Sequence, residues 1–366
     1  MTTPRTTLWP LESHSRAKHL VLRSYLNGWF PILGSWNGRI LFIDGFAGPG
    51  KYAGGEDGSP LIALKALREH KAKGLIKGEV VFVFIESDPE RAEHLRGLID
   101  SLRPSLPASC RIDVVHGRFD ETMTDVLDSL DARANRLAPA FVMIDPFGVS
   151  GTPMSVLWRI FRNSKAEIYA SFMYEAINRF KATPEFEEHL TALFGCDTWR
   201  DGIDIGDPTT RKNFFYGLYE QQLRGAGARY VVHFDLYEKN RLVYAIFFAT
   251  KHSKGADLIK QAIWKIAPFG DFAFHGTHAT QLTLGLETAD YEPLKQALRG
   301  AFGGKGWVRI EKVAEFVFRQ DGLPHGPAEE RCAGANGNGR RDRHRRNDAT
   351  EETDVSGRYQ ASLQVA

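Results

Sequence analysis

The sequence predicts an α/β fold: a doubly wound, mostly parallel sheet that ends in an antiparallel hairpin. Three observations carry that expectation. Five strand-like runs alternate with helical ones, at residues 39–44 (RILFID), 79–86 (EVVFVFIE), 111–116 (RIDVVH), 139–145 (PAFVMID) and 166–173 (AEIYASFM). Their near-continuous apolar character suits parallel strands covered on both faces. The runs 228–237 (ARYVVHFDLY) and 241–250 (RLVYAIFFAT) are separated only by Glu238, Lys239 and Asn240, too few residues for a crossover, so they form a hairpin.

The elements follow in order. Val21, Leu22, Tyr25, Leu26, Trp29 and Phe30 recur at helical spacing and predict a leading amphipathic helix over residues 13–33. Helices are expected at 59–73, opened by a Ser-Pro pair and closed near Gly74, and at 89–102, 121–133 and 153–162. Residues 174–227 are longer than one crossover helix requires; the excess reads as a substrate-facing insertion, with a plain helical decoration as the alternative. Residues 1–270 thus make one domain. The runs 291–302 and 308–320 are periodic enough for helices of a smaller unit over 271–320. Residues 321–366 contain no Phe, Ile, Met, Trp or Lys and are rich in Arg and Gly, so they cannot bury enough apolar surface to offset their ordering entropy and are expected to be disordered.

With 43% hydrophobic and 11% aromatic residues, the 366-residue chain suffices for a large domain and a smaller one. Its 47 basic and 45 acidic residues give a formal charge of +2, so no global field points to nucleic acid or membrane. The N-terminal sequence has no apolar core of signal-peptide type and no run approaches a membrane span, so the cytoplasm is the expected location and no membrane the expected partner. Cys110, Cys196 and Cys332 stand far apart without C-x-x-C spacing, which argues against a zinc site, an iron-sulfur cluster or a disulfide framework.

Residues 42–60 (FIDGFAGPGKYAGGEDGSP) fit three loops at once. Gly45 to Lys51 match the start of a phosphate-binding P-loop, but Tyr52 stands where a magnesium-binding Ser or Thr is needed, and six residues intervene before a helix can begin. Gly48, Gly50 and Ala53 match a dinucleotide loop, but Ala53 lies in the glycine-rich stretch rather than in the first helical turn. The remaining reading is the acidic strand end and glycine turn of a Rossmann-like methyltransferase fold that binds S-adenosylmethionine (SAM). Asp44 then meets the methionine ammonium, directly or through water, while Phe46, Ala47, Gly48 and Gly50 let the ligand approach the backbone. Glu86 or Asp88, at the tip of the second strand, is placed to accept from the ribose hydroxyls, and Phe119 in HGRFDE flanks the adenine. A turn role for Asp44 and a helix N-cap for Asp88 are the alternatives.

At the tip of the fourth strand stands IDPFG, residues 144–148. Methyl transfer to an exocyclic amine depends mainly on positioning. Asp145 can hold the amine, Pro146 offers a carbonyl fixed by its stiff turn, and Phe147 gives a face on which an extruded base can stack. No metal is required. A strand-end turn with a core Phe is the alternative. Lys18, His19, His252 and Lys254 are expected in solvent, with the lining of the cleft as the alternative.

The blocks FIDGFAGPGKYAGGEDGSPLIAL, FIESDPER, FVMIDPFG, INRF, LFG, ATKHSKGADLIKQAIWKIAP and IEKVAEFV, in that order, resemble the three-Cys-motif partner (TcmP) family over nearly all of residues 13–320. The resemblance implies a methyltransferase-fold domain followed by a winged helix, and a separate radical-SAM-type partner that carries the three cysteines. DPFG is also similar to tRNA guanine-amino methyltransferases, and the glycine loop to rRNA adenine-amino methyltransferases, and neither resemblance establishes a substrate. The expected function is methyl transfer to an amino group of RNA or DNA, with a non-catalytic partner of the three-Cys-motif protein or of a nucleic acid as the alternative. The chain departs from the family after Gln320, where an Arg/Gly-rich segment replaces the rest of the winged module. A truncated unit, such as a frameshift produces, is the expectation; an RGG-like nucleic-acid-binding tail is the alternative.

Overall fold

The computed structural model describes residues 6–239 and 241–267, with 273–274, 298–304, 308–309, 312–313 and 316 beyond them. The smaller unit expected over 271–320 falls largely, and the segment 321–366 wholly, outside these residues.

The sheet runs in the order β3-β2-β1-β4-β5-β7-β6-β8. Strands β1 (Arg39–Asp44), β2 (Glu79–Glu86), β3 (Cys110–His116), β4 (Ala140–Ile144) and β5 (Ala166–Phe172) are mutually parallel. Strand β7 (Arg241–Thr250) lies antiparallel between β5 and β6 (Tyr230–Glu238), and the two residues of β8 (Ala273–Phe274) extend the edge. This is the Rossmann-like methyltransferase sheet expected from the sequence. The strand order reverses between the adjacent strands β1 and β4, and in such sheets ligands bind outside the carboxyl ends at that switch point. Asp44 ends β1 and Asp145 follows β4, so the topology itself brings these two acids together.

A row of aromatic residues crosses the sheet on one face. Phe82, Phe42 and Phe141 are register partners on β2, β1 and β4. Phe42 and Phe141 stack with ring centroids 5.6 Å apart. Helix α1 (Ser13–Gly34) packs over this row, with Trp29 against Phe141 and Phe30 against Phe82. The row ends at Glu167 of β5, the register partner of Phe141, a buried carboxylate satisfied by Tyr25 Oη (2.6 Å) and Thr250 Oγ1 (2.9 Å). Helices α2 (Ser59–Arg68) and α9 (Ser253–Ile266) flank α1. After α3 (Pro89–Leu102) and α4 (Phe119–Asp131), α5 (Met154–Ile160) packs against α4. The long segment after β5 contains α6 (Tyr174–Phe180), α7 (Glu187–Phe194) and α8 (Pro208–Gly225), the last an 18-residue helix that makes the crossover to the hairpin.

Two of the helix boundaries that differ from the sequence expectation have a local cause. Helix α4 starts at Phe119 rather than 121, because Phe119 turns inward onto the core while Arg118 stays extended. Helix α2 ends at Arg68 rather than 73, where His70 leaves the helix for α1. Pro31 lies within α1 and has no N–H to give the carbonyl of Asn27. His70 Nε2 donates to that carbonyl at 2.6 Å, while its Nδ1 accepts from the Ala72 N–H, which fixes the tautomer.

Candidate active site

The glycine loop leaves β1 through backbone bonds to both neighbouring strands: Gly45 N–H donates to the Met143 carbonyl and Ala47 N–H to that of Ile85. Gly48 (φ +62°) and Gly50 (φ +83°) then turn in the left-handed region, where a side chain is strained. Residues 51–57 form a small hairpin closed by the Tyr52 N–H to Glu56 carbonyl bond, and α2 begins at Ser59, as the sequence requires. Glu86 locks this loop to β2: one carboxylate oxygen accepts from Gly48 N (2.7 Å) and the other from Asp88 N (2.8 Å). Asp88 is the N-cap of α3, its Oδ1 accepting from the N–H groups of Glu90 and Arg91. Its carboxylate is therefore engaged with the helix end.

Asp44 is fully buried. Burial pushes its carboxyl up to about 7, against the opposing hydrogen bonds from Ser59 and the Phe46 N–H. Its Oδ2 has no hydrogen-bond partner among the described residues. Asp44 itself lines neither cavity of the cleft, although its neighbours Phe46 and Ser59 do; a buried carboxylate oxygen without a partner suits a cationic group.

Two cavities meet at this rim. The first, about 460 Å³, is lined by Trp9, Lys18, His19, Gly48, Tyr52 and Asp145 among others. The second, about 490 Å³, is lined by Gly45, Glu86, Arg118, Phe119 and Asp120, and on its outer side by Phe180 and Phe186 of the insertion. Phe46, Pro146 and Phe147 line both. Phe46 and Phe119 face each other with centroids 5.9 Å apart. The structure thus brings Glu86 and Phe119 to one chamber and Ala47, Gly48, Gly50 and Asp145 to the other, with Phe46, Pro146 and Phe147 lining both, while Asp44 and Asp88 line neither.

Sequence reasoning missed the partner of Asp145. Lys18, expected in solvent, is 3% exposed and its ammonium donates to Asp145 Oδ2. Ser171 donates to Oδ1. Burial alone lowers a lysine, but the adjacent Asp145 outweighs it and holds Lys18 above its ordinary value. For Asp145, burial is likewise outweighed by Lys18 and Ser171, and the carboxyl is held below the usual range. About a quarter of the Asp145 side chain, 26%, stays accessible from the cavity. His19 is also buried; burial and Lys18 push it down to about 3, so it is neutral at ordinary pH, and its Nδ1 has no partner among the described residues. The signal was present in the sequence, because Lys18, Leu22, Tyr25 and Trp29 share one helical stripe. His252 and Lys254 follow the far end of the antiparallel β7, at the rim away from the cleft, and are exposed as expected.

The segment before α1 roofs the first cavity. The carbonyl of Trp9 accepts from Ala53 N (2.9 Å), and that of Thr6 from Arg91 Nη2 (3.3 Å). The Trp9 ring lies edge-on to Tyr52 (5.8 Å) and Phe147 (5.6 Å), beneath the Arg91 guanidinium (5.0 Å).

No protein-family model and no curated protein matches the chain. Among solved structures it is similar to an O-methyltransferase from Bacillus cereus in complex with SAH, at 12% identity over 66% of this chain and 92% of that one, with a TM-score of 0.34. It is also similar to a precorrin-6y C5,15-methyltransferase from Geobacter metallireducens GS-15, at 11% identity over 64% and 87% with a TM-score of 0.29. A METTL16 MTase domain is similar at 12% identity over 65% and 68%, with a TM-score of 0.33. These likenesses are distant, and the architecture rests on the strand order of this chain itself. No helix among the described residues is long and apolar enough to cross a membrane.

Proposed function

We propose that the chain is a SAM-dependent methyltransferase acting on an exocyclic amino group of a nucleic-acid base. The observation that supports it is the meeting of two cavities at Phe46, Pro146 and Phe147, with Glu86 and Phe119 on one side and Asp145 on the other. Bound SAM supplies an activated methyl group on a sulfonium. Glu86 accepts from the ribose, Phe46 and Phe119 enclose the adenine, and the open oxygen of Asp44 accepts from the methionine ammonium. On the other side, Asp145 orients the amine of the acceptor. The methyl group would come from the sulfonium of SAM, which would keep the electron pair, and Asp145 would hold the amine that takes up the methyl. The surplus proton then passes through Asp145 to water, which a weak base suffices for, because a methylated aryl-ammonium is strongly acidic.

Asp145 carries one hydrogen bond on each oxygen, and this favours a second reading in which the fold is retained for binding alone, as the partner of a radical-SAM-type three-Cys-motif protein. A carboxylate offers about four lone-pair positions, so room for an amine remains, and the enzymatic reading is the better supported. Titration calorimetry with SAM, set beside methyl transfer to RNA and DNA, separates the two. Asp145→Ala is expected to abolish transfer while SAM affinity stays within a few-fold; equal loss of both removes the assigned role. SAM binding without transfer to any nucleic acid, together with co-purification of the three-Cys-motif protein, supports the binding role instead.

A further inference from the structure

Resting on that acceptor reading, we propose that Lys18 selects the acceptor base by donating to the ring nitrogen beside its amino group, and that the base is adenine or cytosine. Lys18 is almost wholly buried yet lines the first cavity. Among the described residues, Asp145 is the one hydrogen-bond acceptor of its ammonium, with the Tyr244 ring 5.5 Å away. An ammonium has three N–H donors, so donors remain for a ligand. Asp145 and Lys18 therefore stand side by side in the cavity as an acceptor next to a donor.

The complementary edge is an amino group next to an unprotonated ring nitrogen. Adenine has N6 between N1 and N7, and cytosine has N4 beside N3. Guanine carries N2 between N1–H, which opposes the ammonium donor to donor, and N3, which the attached sugar shields. Uracil and thymine have no amine. The aromatic side chains Trp9, Tyr52 and Phe147 around the same cavity suit a planar ring.

The test offers the full-length chain methyl-labelled SAM and short oligomers of each base. Label is expected on adenine or cytosine and not on guanine. On the accepting oligomer, one deaza analogue (1-deaza- or 7-deazaadenine, or 3-deazacytosine) is expected to lower kcat/KM roughly 10- to 100-fold, the loss of one charged hydrogen bond. Lys18→Gln, with its fold checked by thermal denaturation, is expected to weaken binding of the natural oligomer in fluorescence anisotropy but to bind the deaza oligomer as wild type does. Label on guanine, analogue rates all within about threefold, or independent losses in that cycle overturn the role of Lys18 and leave the acceptor reading standing. SAM binding with no label on any oligomer overturns the acceptor reading and this inference with it.

Discussion

On the proposed reading, Asp44 couples SAM binding to pH. Burial holds its carboxyl at about 7 against an ordinary 3.8, with Ser59 and the Phe46 N–H opposing. A folded value above the unfolded one means that the group's contribution to stability is fully present below about 4 and is lost as pH rises through 7. An ammonium ligand reverses the preference, because it favours the ionised carboxylate. SAM affinity is therefore expected to weaken roughly tenfold for each pH unit below about 7. Calorimetry across that range checks this, and Asp44→Asn should bind more weakly at neutral pH and show a flat profile. Asp44, Glu86 and Asp145 were legible as acids at strand ends, where an α/β sheet places its ligands. Asp88 was not separable from them by sequence, since a capping Asp and a ribose-binding Asp look alike until the N–H groups of Glu90 and Arg91 are seen on it. Lys18 was read as solvated, as a lysine near a helix end ordinarily is, with the cleft as the alternative; its place on the Leu22, Tyr25 and Trp29 stripe argued for the cleft.

At the scale of elements, α1 and the end of α2 are joined through a defect. Pro31 deprives the Asn27 carbonyl of its helical donor, and His70 replaces it. His70→Ala is expected to cost about 1 kcal/mol, the net worth of one hydrogen bond. At the size of this domain that amounts to a fall of roughly 2–4 °C in Tm, measurable by differential scanning calorimetry. Asparagine at position 70 should recover part of it if its amide reaches the same carbonyl. The early stop of α2 was not legible, because the first breaker in sequence is Gly74 and the competing partner lay 43 residues away. The hairpin of β6 and β7 was legible, because three intervening residues permit no other connection.

For the molecule as a whole, a mostly parallel sheet with an antiparallel end followed from the alternation of apolar runs and the terminal hairpin, and the burial of nearly every residue of β2, β4 and β5 shows why those runs are almost continuously apolar. The cavities were not legible. Their walls join Trp9, Asp145 and Tyr244 in one case and Glu86 with Phe186 in the other, residues that only the assembled sheet brings together. A ligand that binds this assembled rim and not the unfolded chain must stabilise the fold. At a hundred times its dissociation constant, SAM is expected to add about 2.7 kcal/mol. Tm should then rise by roughly 5–10 °C in a thermal-shift measurement. ATP with magnesium is expected to give no such shift, since Tyr52 stands where the metal-binding hydroxyl of a P-loop belongs.

The roof over the first cavity has an optical side. Trp9 is a fluorophore held between two aromatic rings and a guanidinium, at the spot where the glycine loop and the Asp145 turn face each other. Its emission reports on the dielectric and stacking of that chamber, so the chain carries its own probe of occupancy, and the difference between wild-type and Trp9→Phe spectra isolates that signal from the other indoles.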